Sequence, residues 1–149
     1  VTPELLNRTD YDKEKDFILY PDVSAHKRYS GIIKTSRELI GIKKRNFTTG
    51  KIESLKIIGD WPSNYNPRIF IVDDLCSKGG TFLMAAEKLK ATARTQEINL
   101  VVAHCENTIT QGELLSSGII KNIYTTDSIL RATPSLAANL HIYSLVRNF

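Results

Sequence analysis

One stretch limits what this chain can fold into more than any other. From Arg68 to Lys90 it reads as strand, tight turn and helix in direct succession. Ile69-Phe-Ile-Val72 is a short apolar run of β-branched and aromatic residues, the composition of a strand buried on both faces in a parallel sheet. After Thr81 the period changes, and Phe82, Ala85, Ala86 and Leu89 fall on one face of a helix. Between these lie Asp73, Asp74, Leu75, Cys76, Ser77, Lys78, Gly79, Gly80 and Thr81. Two glycines let the backbone approach an anion closely, and the free N–H groups and dipole of a new helix favour negative charge. The stretch predicts a phosphate cradle.

Two familiar phosphate loops do not match it. A P-loop needs its lysine directly after the last glycine, whereas Lys78 precedes the pair. The dinucleotide fingerprint needs three spaced glycines. Asp73-Asp74 points to a different ligand. Neighbouring residues at a strand end point in different directions, so the two are poorly placed to share a proton. They suit vicinal hydroxyls, which need acceptors, or a Mg²⁺ ion held through water. The plain alternative is an ordinary strand–helix turn with acids near a helix start.

The remaining chain repeats the strand–turn–helix pattern. Thr2-Pro-Glu4 offers an N-cap, a first-turn proline and an acid, so a short helix begins there and gives way to a polar surface loop, Asn7 to Asp16. Phe17-Ile-Leu-Tyr20 is a strand ending in Pro21-Asp22-Val23-Ser24. A helix is expected from about Ala25 to Ile40, with Tyr29, Ile32, Ile33 and Ile40 on the core face and Gly41 as the stop. Asp22, at the carboxyl end of a strand, is either a metal ligand or the cap of that helix. Lys43-Lys44-Arg45, a Thr-Thr-Gly turn and the alternating Ile52 to Ile58 predict a β-hairpin flap. Its cations are either a solvated edge that discourages aggregation or charges that stabilise a transferring phosphoryl group. Gly59 to Pro67 is a loop in which Trp61 serves as a packing anchor.

Ile98 to His104 is a further buried strand. His104-Cys105-Glu106-Asn107 has the look of a catalytic cluster, but no partner acid stands at a diagnostic spacing, and a histidine closing a strand is commonly hydrogen-bonded locally. Gly112 to Ser117 is read as a short helix, and Asn122 to Thr126 and Leu140 to Leu145 as strands. Alternating elements with short links specify an α/β sandwich around a mainly parallel sheet. With 149 residues and 42% hydrophobic content, one domain is expected. Two cysteines read as free thiols, which fits a reducing cytosol. No apolar run approaches a membrane span, and a cytoplasmic location is expected. The net charge of +4 is scattered, without the aromatic-interleaved basic patch of a nucleic-acid binder; a polyphosphate substrate accounts for it equally well.

The strand, the Asp-Asp pair, the small polar residues and Gly-Gly-Thr together resemble the PRPP-binding motif of the phosphoribosyltransferase fold. The blocks Val101 to Glu106, Gly112 to Leu115 and Gly118 to Ile129 resemble those of ribose-phosphate pyrophosphokinases. Tyr20 to Arg28 resembles that family's Pro-Asp turn, and Ile42 to Arg45 the base of its catalytic flexible loop. The resemblance implies a phosphoribosyltransferase-like three-layer sandwich over residues 1–149 that forms the C-terminal half of a two-domain, homo-oligomeric enzyme. It implies transfer of diphosphate from ATP to the C1 hydroxyl of ribose 5-phosphate, giving PRPP and AMP, with Mg²⁺ and without nucleic-acid or membrane partners. By motif, Asp73 and Asp74 would engage ribose hydroxyls, and Ser77, Lys78, Gly79, Gly80 and Thr81 the 5-phosphate. Lys43 and Arg45 would stabilise the transferring group, and Asp22 would share the Mg²⁺. The missing half would supply most of the ATP site. Cys76 and Lys78 depart from the family's usual loop. The alternatives are a type I phosphoribosyltransferase that uses PRPP and a non-catalytic PRPP-binding domain.

Overall fold

The computed structural model describes residues 1–92, 94–131 and 137–145. Its frame is a seven-stranded sheet: β1 (Phe17–Tyr20), β2 (Glu38–Arg45), β3 (Ile52–Ile58), β4 (Arg68–Cys76), β5 (Glu97–Cys105), β6 (Asn122–Thr126) and β7 (Leu140–Tyr143). The spatial order is β3-β2-β1-β4-β5-β6-β7. All neighbours run parallel except β2 and β3, which form the expected antiparallel hairpin. Helices α1 (Thr2–Arg8), α2 (Val23–Ile33) and α3 (Gly80–Thr92) cover the faces.

Side chains alternate across a strand, so each central strand feeds two cores. Ile18, Tyr20, Phe70 and Val72 pack with Leu5 and Leu6 of α1 and Ala25 and Tyr29 of α2. Leu19, Ile69, Ile71 and Leu100 pack on the other face with Phe82, Ala85, Ala86 and Leu89 of α3. This is the three-layer α/β sandwich the sequence predicts. The four residues of the Ile69–Val72 run are fully buried, each stabilising the fold by roughly 1.5–3 kcal/mol over an exposed side chain. Trp61 anchors its loop against Phe17, ring centroids 6.0 Å apart.

The strand order sets where a ligand can sit. From β1 the chain steps outward to β2 and β3, then returns to place β4 on the opposite side of β1. Where order reverses, the connections leave in opposite directions and open a crevice at the carboxyl ends of the strands. Here that crevice lies between the ends of β1 and β4, beside Asp22 and Asp73.

Three local expectations are corrected. The helix expected to run to Ile40 ends at Ile33, where Lys34 turns left-handed at φ 52° and its N–H donates to the Ser30 carbonyl. Ile32 is exposed rather than core-facing. Residues 38–45 instead form β2, because Leu39 and Gly41 alternate inward with period two. Gly41 is needed there for close approach, since a Cβ would come 2.4 Å from the Pro21 carbonyl oxygen. Gly112 to Ser117 forms turns and bends, and the nearby helical segment is a short 3₁₀ helix at Asn107–Gln111. The N-cap of α1 is Val1, and Thr2 lies inside the helix.

Candidate functional site

β4 runs past its apolar run through Asp73 and Asp74 to Cys76. The loop Ser77–Gly79 then turns the chain into α3, and Leu83 N–H donates to the Gly79 carbonyl at 2.9 Å as the first bond of that helix. The amides of Gly80, Thr81 and Phe82 are thereby left without intrahelical acceptors. Gly79 takes φ 86°, and a Cβ there would meet Leu114 at 2.4 Å, so both backbone and packing require glycine. Gly80 is different: a Cβ there would meet nothing within 4 Å. Gly80 lines an open cleft.

A cleft of about 550 Å³ faces this helix start, within the size range of small-molecule sites. Lys43, Asp73, the stretch from Ser77 to Phe82, Glu106 and Thr108 line it. A second cleft of about 510 Å³, between Trp61 and Arg94, lies by the far end of α3 and offers no helix N-terminus.

The acids behave as a coupled set. Arg28 Nη1, on α2, lies 3.5 Å from Asp73 Oδ1 and 3.2 Å from Asp74 Oδ1. The two carboxyls thus converge rather than diverge, which corrects the expectation drawn from strand alternation. Burial first, then a hydrogen bond with Asp74, pushes Asp73 up to about 7. Asp74 stays below its ordinary value: desolvation would raise it, but the hydrogen bond from Asp73 and the Arg28 charge outweigh that. The pair therefore shares one proton near neutrality.

Asp22 combines two duties. Its Oδ1 accepts from Ala25 N–H at 2.8 Å as the N-cap of α2, while its Oδ2 faces Lys43 Nζ at 3.4 Å. Lys43 is brought to the cleft by β2. Arg45 is not: its guanidinium donates to the Gly50 carbonyl at 3.1 Å within the hairpin tip. Lys78 is exposed on the loop, its carbonyl oxygen so near Gly112 that a Cβ there would lie 2.3 Å from it. Thr81 lies in the first turn of α3, at the cleft. Ser77 Oγ donates to Glu106 Oε1 at 2.6 Å.

His104 is hydrogen-bonded, not locally as expected but to a residue just past β6: its Nδ1 lies 2.6 Å from Ser128 Oγ. Cys76 and Cys105 are free and buried, opposite each other across β4 and β5; Cys76 closes the strand beneath the loop rather than lying in it. The Cys105 thiol beside it, then burial, pushes Cys76 far above the ordinary thiol range, so it is no nucleophile.

Sequence reasoning gave no site role to four residues here. Arg28 was visible only as part of a block, and Glu106 and Thr108 reach the loop because β5 lies beside β4. Thr2 donates to the Asp73 carbonyl at 2.9 Å, docking the first helix under the site.

Among the described residues no group of three or more His, Cys, Asp or Glu is arranged to hold a metal. Two converging carboxylates nevertheless suit a Mg²⁺ ion once their shared proton has left, since that ion is commonly held by one or two carboxylates with water and substrate oxygens completing its shell. Asp22 would have to share Oδ2 with Lys43 to join them.

No protein-family model matches the chain. It is 30% identical over 121 residues to the ribose-phosphate pyrophosphokinase of Hyphomonas neptunium, covering 80% of this chain and 38% of that protein. It is 29% identical over 128 residues to the ribose-phosphate pyrophosphokinase of Campylobacter jejuni, covering 80% of this chain and 39% of that one. Among solved structures, phosphoribosylpyrophosphate synthetase from Mycobacterium smegmatis superposes over 96% of this chain and 46% of its own, with TM-score 0.69 and 16% identity. That likeness shows the fold. The chain spans less than half the length of these curated relatives, and over most of its own length it resembles them.

Proposed function

We propose that this chain, similar over four-fifths of its length to ribose-phosphate pyrophosphokinases, supplies the ribose 5-phosphate site of a ribose-phosphate diphosphokinase. The whole enzyme would transfer diphosphate from ATP to the C1 hydroxyl of ribose 5-phosphate, releasing PRPP and AMP. One observation carries the reading: an anion cradle at the start of α3 opens directly beside a converging pair of carboxylates at the strand-order reversal. Phosphate at one end and hydroxyls at the other is the signature of a sugar phosphate.

The amides of Gly80 and Thr81, the Thr81 hydroxyl and Lys78 would hold the 5-phosphate. Asp73 and Asp74 would accept from ribose hydroxyls and set the ring's orientation, with Arg28 keeping their charge balanced. Bound at the same carboxylates, Mg²⁺ would neutralise charge developing on the phosphoryl oxygens. Lys43 stands at the cleft wall, where a cation stabilises the transferring group. Asp22 holds Lys43 in that position and is at most a shared metal contact. Arg45 joins only if the hairpin tip opens. The nucleotide would bind largely in the part of the relatives that this chain does not span.

Calorimetric titration of the chain with ribose 5-phosphate and Mg²⁺, with NMR of the Gly79 and Gly80 amides, tests the site. Heat with protection of both amides is expected, and neither appearing would remove the sugar phosphate reading. A second assay follows AMP: the chain alone should release none, whereas release at ordinary enzymatic rates would show that no further half is required. A phosphoribosyltransferase would instead release diphosphate from PRPP, and a binding module would do neither.

A further inference from the structure

The anion cradle contains an acid. Glu106 directly follows β5, and its N–H donates to the Cys76 carbonyl at 2.8 Å, which fixes its backbone beside the loop. Its side chain lines the same cleft as Lys78, Gly80 and Thr81. A carboxylate only accepts hydrogen bonds when ionised, and it repels a phosphate dianion held nearby. An acid so placed weakens binding of any bare anion. It becomes favourable when the ligand also brings hydroxyl groups that donate to it.

The bond to Ser77 sharpens the point. A serine hydroxyl has one proton, and at 2.6 Å that proton is committed to Glu106 Oε1. Ser77 therefore has none left for a phosphate oxygen, contrary to the role its motif position implies. Its part is to hold the Glu106 carboxylate against the cleft wall. With Asp73 lining the cleft as well, the amide floor is flanked by acids from both β4 and β5.

We propose that Glu106 is a specificity-determining residue: held by Ser77, its carboxylate accepts a hydroxyl of a polyhydroxylated phosphate ester and disfavours bare anions such as inorganic phosphate. This rests on the sugar phosphate reading of the loop and goes beyond it, because it assigns selectivity to a residue outside the loop and removes Ser77 from the phosphate ligands.

The test is calorimetry of the whole chain with inorganic phosphate and, separately, ribose 5-phosphate, for the parent, Glu106→Gln and Ser77→Ala. Glutamine keeps the shape and an acceptor but loses the charge. Expected for Glu106→Gln is inorganic phosphate bound about 3-fold or more tighter and ribose 5-phosphate about 10-fold weaker, since a charge-assisted hydrogen bond becomes a neutral one. Ser77→Ala should not weaken inorganic phosphate, because its proton never served the anion, and should weaken ribose 5-phosphate, because Glu106 loses the bond that holds it in place. An unchanged affinity ratio in Glu106→Gln, or both ligands weakened equally, overturns the proposal while leaving the sugar phosphate site intact. Loss of inorganic phosphate binding in Ser77→Ala overturns it too. Failure of the parent to bind either ligand removes the underlying site and the proposal together.

Discussion

Asp73 and Lys43 carry the sharpest residue-scale expectations. Asp73 has a folded value near 7 against an ordinary 3.8, so between those limits the native protein binds more protons than the unfolded chain. Its stabilising contribution is full below about pH 4 and is lost as pH rises through 7. Without metal, Asp73→Asn should match the parent's melting temperature near pH 4 and exceed it at pH 8. Melting curves at the two pH values decide this, and a constant difference would show that Asp73 titrates normally. Mg²⁺ should raise the parent's melting temperature more at pH 8 than at pH 5, because there it displaces no proton. For Lys43 the expectation is kinetic. An interaction made only in the transition state changes kcat, whereas uniform binding changes KM. In the two-part enzyme proposed above, Lys43→Ala should lower kcat on the order of 10²-fold, while Lys78→Ala should mainly raise KM for the proposed substrate, ribose 5-phosphate. Arg45→Ala should do less than Lys43→Ala, since Arg45 is tied to Gly50. Steady-state rates with an equal loss for Arg45 would show that the hairpin tip swings into the site.

The next scale is the strand–loop–helix unit. The start of α3 is positioned by Gly79, whose left-handed backbone and contact with Leu114 leave no room for a side chain. Gly79→Ala is expected to cost about 1–3 kcal/mol and to abolish phosphate binding, because the first-turn amides shift with the loop. Gly80→Ala meets no protein atom, so it should keep its stability and lose affinity only through the ligand. Urea unfolding and phosphate titration of both variants separate the two cases. Equal stability loss in both would mean that the glycines serve the fold alone. The same logic explains Asp22: as cap of α2 and partner of Lys43, it couples the end of β1 to the hairpin.

At the scale of the whole molecule, the site hangs between two cores joined by one sheet. The amino end of β4 is secured by Arg68, whose Nε and Nη2 bond the nearly buried Asp16 at 3.1 and 2.6 Å, and whose Nη1 reaches Asp10 at 2.7 Å. Asp16→Ala leaves that guanidinium short of its main partner and should cost roughly 3 kcal/mol or more. Guanidinium unfolding measures it. A loss below about 1 kcal/mol would put this pair among ordinary surface ion pairs.

The central unit was legible because its signals are local. Four consecutive apolar residues, a glycine pair and a change of period name strand, loop and helix without reference to the remaining chain. The alternation of strands and helices fixed the fold class in the same way, since a parallel sheet needs crossovers. What failed was equally local in cause. Ile32, Ile33 and Ile40 fit a helical face by spacing, yet a left-handed Lys34 ends the helix, and no glycine marks that stop. The rest depends on register between distant strands. The pairing of β4 with β5 alone puts Glu106 beside Ser77, and α2 crossing the ends of β1 and β4 alone brings Arg28 to Asp73 and Asp74. The sequence by itself determined which polar groups crowd the turn between β4 and α3. Only the tertiary structure decided which of them still have a free proton or lone pair to offer, because that depends on neighbours many residues away.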